Sequence, residues 1–395
     1  MRNIALCMEL SDFYEHGIAR GVVRYAKSRP DWRLFGYGWM FRSLASLEGW
    51  EGDGIVARIE SAAEADRLAS LGLPLVDVAG AYLRPGFRTV ANDDRLTGRR
   101  AALHLRSCGF SRFAFLGVEG TLWSQERKRG FVEALEEGAG PIGRLPSFER
   151  SLGWWESGRE AGGEAGARPG GLAAFLAGLE KPAALFACND TTGLRATELA
   201  GRLGIAVPGA LAILGVDDED ILCELASPSL SSIRLDCEAI GYEAARALDA
   251  LIEGPGAGAP GPGPAEARRA VPPKEVAERE STRVYACPDE LVARAATFIR
   301  ARAHEGIGVP EVLAAVPASR RSLETRFRRA LGRSLHEEIV RARLATARRL
   351  LAEGGLSLDE VASRSGFGAL QRFHSAFKEA EGISPGQWRK RRGRG

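Results

Sequence analysis

The sequence predicts two domains of different class: an α/β two-lobed domain over residues 1–285, and an all-α domain with two helix-turn-helix units over residues 289–395. Three observations predict it. In the first 285 residues, short apolar runs alternate with stretches of helical periodicity, the pattern of βαβ units and parallel sheets. In residues 289–395, two helix–turn–helix patterns flank one long amphipathic stretch. Charge divides at the same place. From Asp289 onward the chain holds 21 Lys+Arg against 12 Asp+Glu, a net of +9; the whole chain is +3, so the preceding residues carry −6. A basic excess confined to one segment is the footprint of a polyanion partner, here double-stranded DNA. The plainer alternative is a solvated, Arg-rich helical bundle.

Composition sets the class. A chain of 395 residues has room for two or three domains with substantial cores, and 45% apolar content is ordinary for a globular protein. The opening Met1-Arg2-Asn3-Ile4-Ala5-Leu6-Cys7-Met8-Glu9 has too short an apolar run for a signal peptide. No run reaches the roughly 18 apolar residues of a membrane helix. The expectation is a cytoplasmic protein with no membrane partner. Cys7, Cys108, Cys188, Cys223, Cys237 and Cys287 are scattered without a Cys-x-x-Cys pair, which fits buried free thiols. The five histidines show no metal-ligand spacing, so neither metal nor cofactor is expected.

In chain order, the strand-like runs are residues 4–8, 33–37, 54–59, 75–78, 89–91, 113–117, 183–187 and 211–216. Helix-like stretches lie at 17–28, 62–71, 96–107, 126–137, 171–179 and 192–203. Two half-sized sheets fit these strands better than one wide one. Ligands of open parallel sheets bind at the carboxyl ends of the strands. The residues found there are Glu9-Leu10-Ser11-Asp12-Phe13-Tyr14 after the first strand, Asn92-Asp93, then Asn189-Asp190, then Asp217-Asp218; of these Phe13, Tyr14, Asn92, Asn189, Asp190 and Asp217 are the candidate contacts. Carboxylates and amides pair with vicinal hydroxyls while an aromatic face covers ring C–H surface, so this mixture suits a neutral sugar. Asp and Asn after a strand also serve as helix N-caps and turn formers; their recurrence at corresponding strand ends is what indicates a site. Trp123 either stacks on the ring or fills a hinge between lobes. Trp154 and Trp155 sit in a Gly-rich region and carry little weight as lid or partner contacts.

The helices of the second domain follow from their caps. The first unit runs 309–316, turns at Pro317-Ala318, and continues over 319–330. The connecting helix spans 335–351, with Leu335, Ile339, Val340, Leu344, Ala347 and Leu351 at helical spacing and Gly354-Gly355 ending it. The second unit runs 357–367 and then 370–380. Ser334 and Ser357 each have a glutamate three residues on, Glu337 and Glu360, the pattern of a capping box. Gly366 suits the sharp turn between steeply packed helices.

Ser319-Arg320-Arg321-Ser322-Leu323-Glu324-Thr325-Arg326-Phe327 resembles the first recognition helix of the AraC/XylS family. Gly366-Phe367 through Phe373, Phe377-Lys378, Gly382-Ile383-Ser384-Pro385 and Trp388-Arg389 resemble its second unit. The resemblance implies base contacts from Arg321, Glu324 and Thr325 on the first recognition helix. On the second it implies Leu370, Gln371, His374 and Ser375, with Leu323, Phe327, Phe373 and Phe377 in the cores. Arg reads guanine and Gln adenine; Glu324 accepts from cytosine or orients Arg321. Arg320, Arg328 and residues 389–392 are implied to touch phosphate, which adds salt-dependent affinity without specificity. Two such helices on one rigid domain enter successive major grooves roughly 34 Å apart.

Trp123-Ser124-Gln125-Glu126-Arg127-Lys128-Arg129-Gly130-Phe131 is similar to LacI-type ligand-binding domains, which carry an arginine three residues before a glycine–aromatic pair. That implies a sugar contact for Arg127; the plain alternative is a surface salt bridge at a helix start. Val271-Pro272-Pro273 through Glu278-Arg279-Glu280-Ser281-Thr282 resembles the closing strand of the same domains. Residues 253–267, whose Gly/Pro composition looks like a linker, then become a loop insertion within the first domain. The hinge falls at about residues 284–289, with Pro288 as its stiffener.

A periplasmic-binding-protein-like (LacI-type) sensor followed by an AraC-type tail, with Gly215-Val216-Asp217-Asp218-Glu219 at a strand end, resembles the sugar-responsive regulators of the AraC/XylS family. The insertion at 253–267 and the Gly/Ala-rich stretch at 156–171 depart from them. The resemblance implies a homodimeric transcription activator that works with RNA polymerase and answers to D-xylose or a related pentose. A different sugar or a sugar acid would keep the DNA-binding role; an anion needs a cation in the pocket, for which Arg127 is the candidate. An enzyme is the remote alternative: there is no Gly-x-x-x-x-Gly-Lys-Ser/Thr loop and no metal-ligand cluster, so no catalytic residue is expected.

Overall fold

A computed structural model describes residues 1–10, 12–36, 47, 49–81, 87–140, 143–157, 171–254, 268–287 and 289–392. It divides into two compact units, Met1–Leu105 with Arg112–Arg279, and Arg106–Ser111 with Glu280–Gly395. The division lies at 279/280, ahead of the hinge expected at 284–289. Pro288 and residues 255–267 of the Gly/Pro insertion lie outside the described residues.

The first unit opens with β1 (Arg2–Cys7), α1 (Phe13–Ala26), β2 (Trp32–Gly36), β3 (Gly54–Ala57), α2 (Ala62–Ser70), β4 (Leu75–Asp77), β5 (Arg88–Asn92) and α3 (Asp94–Ser107). It continues with β6 (Phe113–Val118), α4 (Leu122–Ala139), β7 (Ser147–Arg150), α5 (Leu152–Ser157), α6 (Leu172–Gly178), β8 (Ala183–Ala187), α7 (Asp190–Arg202), β9 (Leu211–Asp217), α8 (Asp220–Leu225) and β10 (Ser231–Arg234). It closes with α9 (Cys237–Glu253), β11 (Arg268–Val271) and β12 (Val276–Ala277). These strands form two six-stranded sheets, β11-β5-β4-β3-β1-β2 and β12-β10-β9-β8-β6-β7. All pairings are parallel except β12, which runs antiparallel to β10. Strands β3 and β8 are buried along their whole length, as a parallel sheet with helices on both faces requires.

The chain crosses between the two lobes after β5, after β10 and after β11. The expected closing strand at 271–282 is a correction: it splits between the sheets. Pro272 and Pro273 lack the N–H a ladder needs, so the chain leaves the first sheet at Val271 and pairs again only at Val276, on the edge of the second. Helices α3 and α4 touch backbone to backbone. A Cβ on Gly98 would lie 1.9 Å from the Arg127 carbonyl, and one on Gly130 the same distance from that of Arg95. Helices α1 and α9 meet likewise, with Gly241 seated on the Ile18 carbonyl.

The second unit contains α10 (Glu290–Arg302), α11 (Val309–Ala315), α12 (Arg320–Leu331), α13 (Leu335–Glu353), α14 (Leu358–Arg364), α15 (Leu370–Glu381) and α16 (Pro385–Arg392). Both expected capping boxes form, Ser334 with Glu337 and Ser357 with Glu360. Helix α13 serves two cores. Its Leu335 and Ile339 pack with Leu323 and Phe327 of α12, and its Leu344, Ala347 and Leu351 pack with Phe373 and Phe377 of α15. Gly366 has φ +85°, and a Cβ there would meet the Ala303 carbonyl at 2.2 Å, so this turn admits only glycine.

Gly98→Ala and Gly241→Ala are each expected to destabilise the protein by more than about 2 kcal/mol, because helix backbones must separate. Gly201→Ala, on the exposed face of α7 with open space around it, is expected to stabilise by about 0.5–1 kcal/mol. Urea unfolding of the three variants checks both signs.

Candidate functional site

Between the two sheets lies a cleft of about 470 Å³, lined by the segments that follow the strands. The chain order of each sheet alternates sides around β1 and around β6, and such switch points open a crevice at the carboxyl ends. Lobe one supplies Met8, Glu9, Asp12, Phe13, Tyr14, Arg58, Glu60 and Asn92; lobe two supplies Thr121, Trp123, Arg127, Leu152, Trp155, Asn189, Asp217 and Glu219.

Arg127 is buried on α4, and its position is set by the glycine-tight contact of α4 with α3. Its Nε donates to Asp94 Oδ1 at 2.9 Å and one Nη to the Cys188 carbonyl at 2.5 Å; the other partner is Asp217, at 3.7 Å. Burial works against its charge, but Asp94 and then Asp217 outweigh it and hold the guanidinium above its ordinary value. Its carbon lies 5.1 Å from the centre of the Trp123 ring. The surface salt bridge that sequence alone allows is therefore a buried ion chain.

Asn92, at the end of β5, donates to Asp94 Oδ1 at 2.8 Å and to Thr97 Oγ1 at 2.9 Å. Its own Oδ1 is buried and has no partner among the described residues. A buried acceptor left unpaired is costly unless a ligand or water donates to it. In lobe one, Asp12 caps α1 through the Glu15 amide at 2.8 Å and binds Arg58 at 2.6 Å. Arg58 also meets Glu60 at 2.8 Å and lies over the Tyr14 ring at 5.6 Å. The Tyr14 hydroxyl donates to the Val78 carbonyl at 2.7 Å, so its ring rather than its oxygen faces the cleft wall. Arg58 is a second cation that its sequence context did not single out.

Asp217 and Asp218 have φ of +111° and +58°, backbone that non-glycine residues rarely hold. The turn sends the two carboxylates to different tasks. Asp217 lines the cleft; burial pushes its carboxyl up to about 7, against the pull of Arg127 and with the push of Asp12 from the facing lobe. Asp218 is buried, bonded to Arg234 at 2.6 Å and to Arg279 at 2.8 Å.

Seven of the expected residues, Phe13, Tyr14, Asn92, Trp123, Arg127, Asn189 and Asp217, line this one cleft. Asp190 does not. Its carboxylate is turned beneath the strand ends, accepting from Ser232 Oγ at 2.6 Å and the Glu219 amide at 2.9 Å. Burial and then the charge of Asp217 push its carboxyl well up. Asn189 takes its plain role as well, capping α7 through the Thr192 amide at 3.0 Å. Asp12, a strand-end residue legible in the sequence, lines the cleft as well; Arg58 and Asp94 join it through Asp12 and Arg127, partners that only the fold brings to them.

The cleft is acidic. Glu9, Asp12, Glu15, Glu60, Glu64, Asp94, Asp217 and Glu219 face Arg58 and Arg127, and both arginines are already held by carboxylates. An anion entering here meets net negative charge, with no free cation among the described residues. A neutral polyhydroxyl ligand meets acceptors for its hydroxyls and the rings of Phe13, Tyr14 and Trp123 for its C–H faces.

In the second unit, Arg320, Arg321, Thr325 and Arg328 are exposed on α12, while Leu323 and Phe327 are fully buried. Glu324 is half-buried, with its Oε2 buried and without a partner among the described residues. On α15, Gln371 and Ser375 are exposed. Leu370 packs on the second core, and His374 lies half-buried, its ring 6.0 Å from Phe373. Arg372 is exposed beside them and joins the candidate face. Several basic residues serve the domain itself: Arg326 binds Asp289 at 3.0 Å, Arg341 binds Glu338, Arg348 binds Glu381, and Arg343 donates to the carbonyls of Ala303 and Ile307. Arg389 is half-buried, with Nε and one Nη lacking partners among the described residues.

Three family models match the chain in series: the XylR N-terminal domain over residues 3–93, a periplasmic binding protein-like domain over 102–282, and a helix-turn-helix domain over 312–391. The chain is 30% identical over 394 residues to the xylose operon regulatory protein of Escherichia coli (strain K12), covering 98% of this chain and 96% of that protein. It is 27% identical to the protein of the same description from Haemophilus influenzae, covering 98% and 97%. Among solved structures it is similar to a xylose-binding transcription activator, with a TM-score of 0.58, 29% identity, and 98% and 97% of the two chains covered. A transcriptional regulator solved with cellobiose, 23% identical with a TM-score of 0.55, shares the fold over 71% of this chain and 84% of that one.

The raised Asp217 carboxyl sets a pH dependence. Because its value goes up from 3.8 to about 7 on folding, its contribution to stability is fully present below 3.8 and is lost as pH rises through 7. Asp217→Asn, which cannot ionise, is expected to gain stability relative to wild type between pH 5 and pH 8 in urea titrations; a difference flat in pH means that Asp217 titrates as an ordinary carboxylate. For DNA, Arg321→Ala with Gln371→Ala is expected to erase discrimination between operator and random duplex in footprinting while both cores stay folded. Unchanged discrimination places the recognition faces elsewhere.

Proposed function

The chain belongs to the family of xylose operon regulatory proteins, DNA-binding and sugar-responsive transcription regulators, and from that membership we propose that it is a D-xylose-responsive activator working as a cytoplasmic homodimer. The observation that carries the effector is the cleft: a buried Arg127 paired with Asp94 and Asp217, beside an Asn92 acceptor that lacks a donor among the described residues. Phe13, Tyr14, Asn92, Trp123, Arg127, Asn189 and Asp217 are the proposed sugar contacts. A pentose hydroxyl donates to Asn92 Oδ1 and another to Asp217, while Trp123 covers a ring face. Asp190 positions the strand ends from below rather than touching the sugar. Sugar acids fit poorly, because the cleft's arginines are already engaged.

The sugar draws the lobes toward one another, and it shifts the open–closed equilibrium only by its differential affinity for the two states. The response reaches DNA through the second unit. There Arg321, Thr325, Gln371 and Ser375 read bases, and Arg320, Arg328 and Arg372 hold phosphate. Activation places RNA polymerase among the partners. Catalysis has no part in this role; the relatives are transcription regulators.

Calorimetric titration with D-xylose is expected to give saturable binding that Asp217→Ala abolishes, and D-xylonate is expected to give no heat. Xylose without heat, or xylonate binding as well as xylose, removes the proposed effector and leaves the DNA-binding role in place.

A further inference from the structure

The lining of the cleft changes along the second sheet. In the order β9, β8, β6, β7 it runs from Asp217 and Asn189, through Thr121 and Trp123, to Leu152 and Trp155 of α5. The last pair offers no hydrogen bond. Leu152 has none to give, and the Trp155 indole N–H already donates to the Gly117 carbonyl at 2.9 Å. The hydroxyl of Thr121 is also engaged, with the Val118 carbonyl. Nor can the wall rearrange easily. Trp155 is only 1% exposed and packs edge-on against Trp154 (4.8 Å, 90°) and Phe148 (6.0 Å, 82°), with Phe175 behind. On the side of the second lobe, the cleft therefore has a polar end and a carbon end.

A pentopyranose has one ring edge without a hydroxyl, its C5 methylene. With its hydroxyls at Asp217 and Asn189, that edge points to Leu152 and Trp155. An aldohexose in the same pose would press its hydroxymethyl oxygen into the carbon wall, where it loses water and gains no partner. We propose that Leu152 and Trp155 determine specificity by rejecting a ligand hydroxyl at this end, so that the cleft takes an aldopentose and also tolerates a 6-deoxyhexose. This rests on the sugar reading above and adds to it the reason for discrimination. The penalty for one buried, unpaired hydroxyl corresponds to an affinity ratio of about ten- to a hundredfold.

The test is calorimetry on the full chain with D-xylose, 6-deoxy-D-glucose and D-glucose. The expected order is xylose first, 6-deoxyglucose within a few-fold, and glucose at least tenfold weaker. Leu152→Gln, which places a hydrogen-bonding group in the wall at a half-buried position, is expected to close most of the gap between glucose and 6-deoxyglucose; Leu152→Met leaves it open. Glucose binding as well as xylose overturns the proposal. So does 6-deoxyglucose as weak as glucose, since size and not polarity then discriminates, and so does an unchanged gap in Leu152→Gln. Heat from none of the three sugars removes the sugar reading itself, and the specificity wall with it.

Discussion

The charge on Arg127 is what the sensor cleft is built around. A lone guanidinium at that depth would cost several kcal/mol in lost hydration, so it persists only with carboxylates at hand. Asp94 comes from the head of α3, where the chain passes from one lobe to the other, and Asp217 from the end of β9. The arginine thereby fixes two strand ends and one crossover relative to one another. Its own seat depends on Gly98, whose missing side chain lets α3 rest directly on the Arg127 carbonyl. Backbone packing at one helix pair and the electrostatics of the cleft are thus one constraint.

The same economy appears in the DNA-binding unit, with apolar packing in place of charge. Helix α13 puts one end into each helix-turn-helix core, so neither core can rotate without disturbing the other. A continuous helix of this kind fixes the spacing between α12 and α15. Arg343 and Arg348 lock its flanks to neighbouring segments. Part of the segment's arginine complement is therefore structural, and the arginines held by Asp289, Glu338 and Glu381 are already cancelled in the net of +9.

Much of the fold was legible because its signals are local. Strands such as β8 and β9 are unbroken apolar runs, and Ser334, Ser357 and Gly366 announce their caps and turn over spans of four residues or fewer. The short strands β7, β10 and β11 carry Ser, Glu and Arg instead, and only pairing with a neighbour makes them strands. Helix α9 did have a signal that no expectation covers: the Asp236 cap and Ile240, Ala244 and Leu248 at helical spacing. For the cleft, strand-end position brought most of the expected residues together. It misplaced Asp190 because a strand-end carboxylate can turn up to the ligand or down to the frame, and Ser232 decides which.

The sequence by itself determined the class of each domain, the caps that start its helices and the segregation of charge, because these follow from periodicity, side-chain type and position along the chain. Tertiary structure alone decided which charges are free. Arg58 joined the cleft through Asp12 and Glu60, Glu324 buried one of its carboxylate oxygens, and Trp155 became a wall by giving its N–H to Gly117. Availability is a property of partners brought from elsewhere in the chain, and a linear sequence does not say who those partners are.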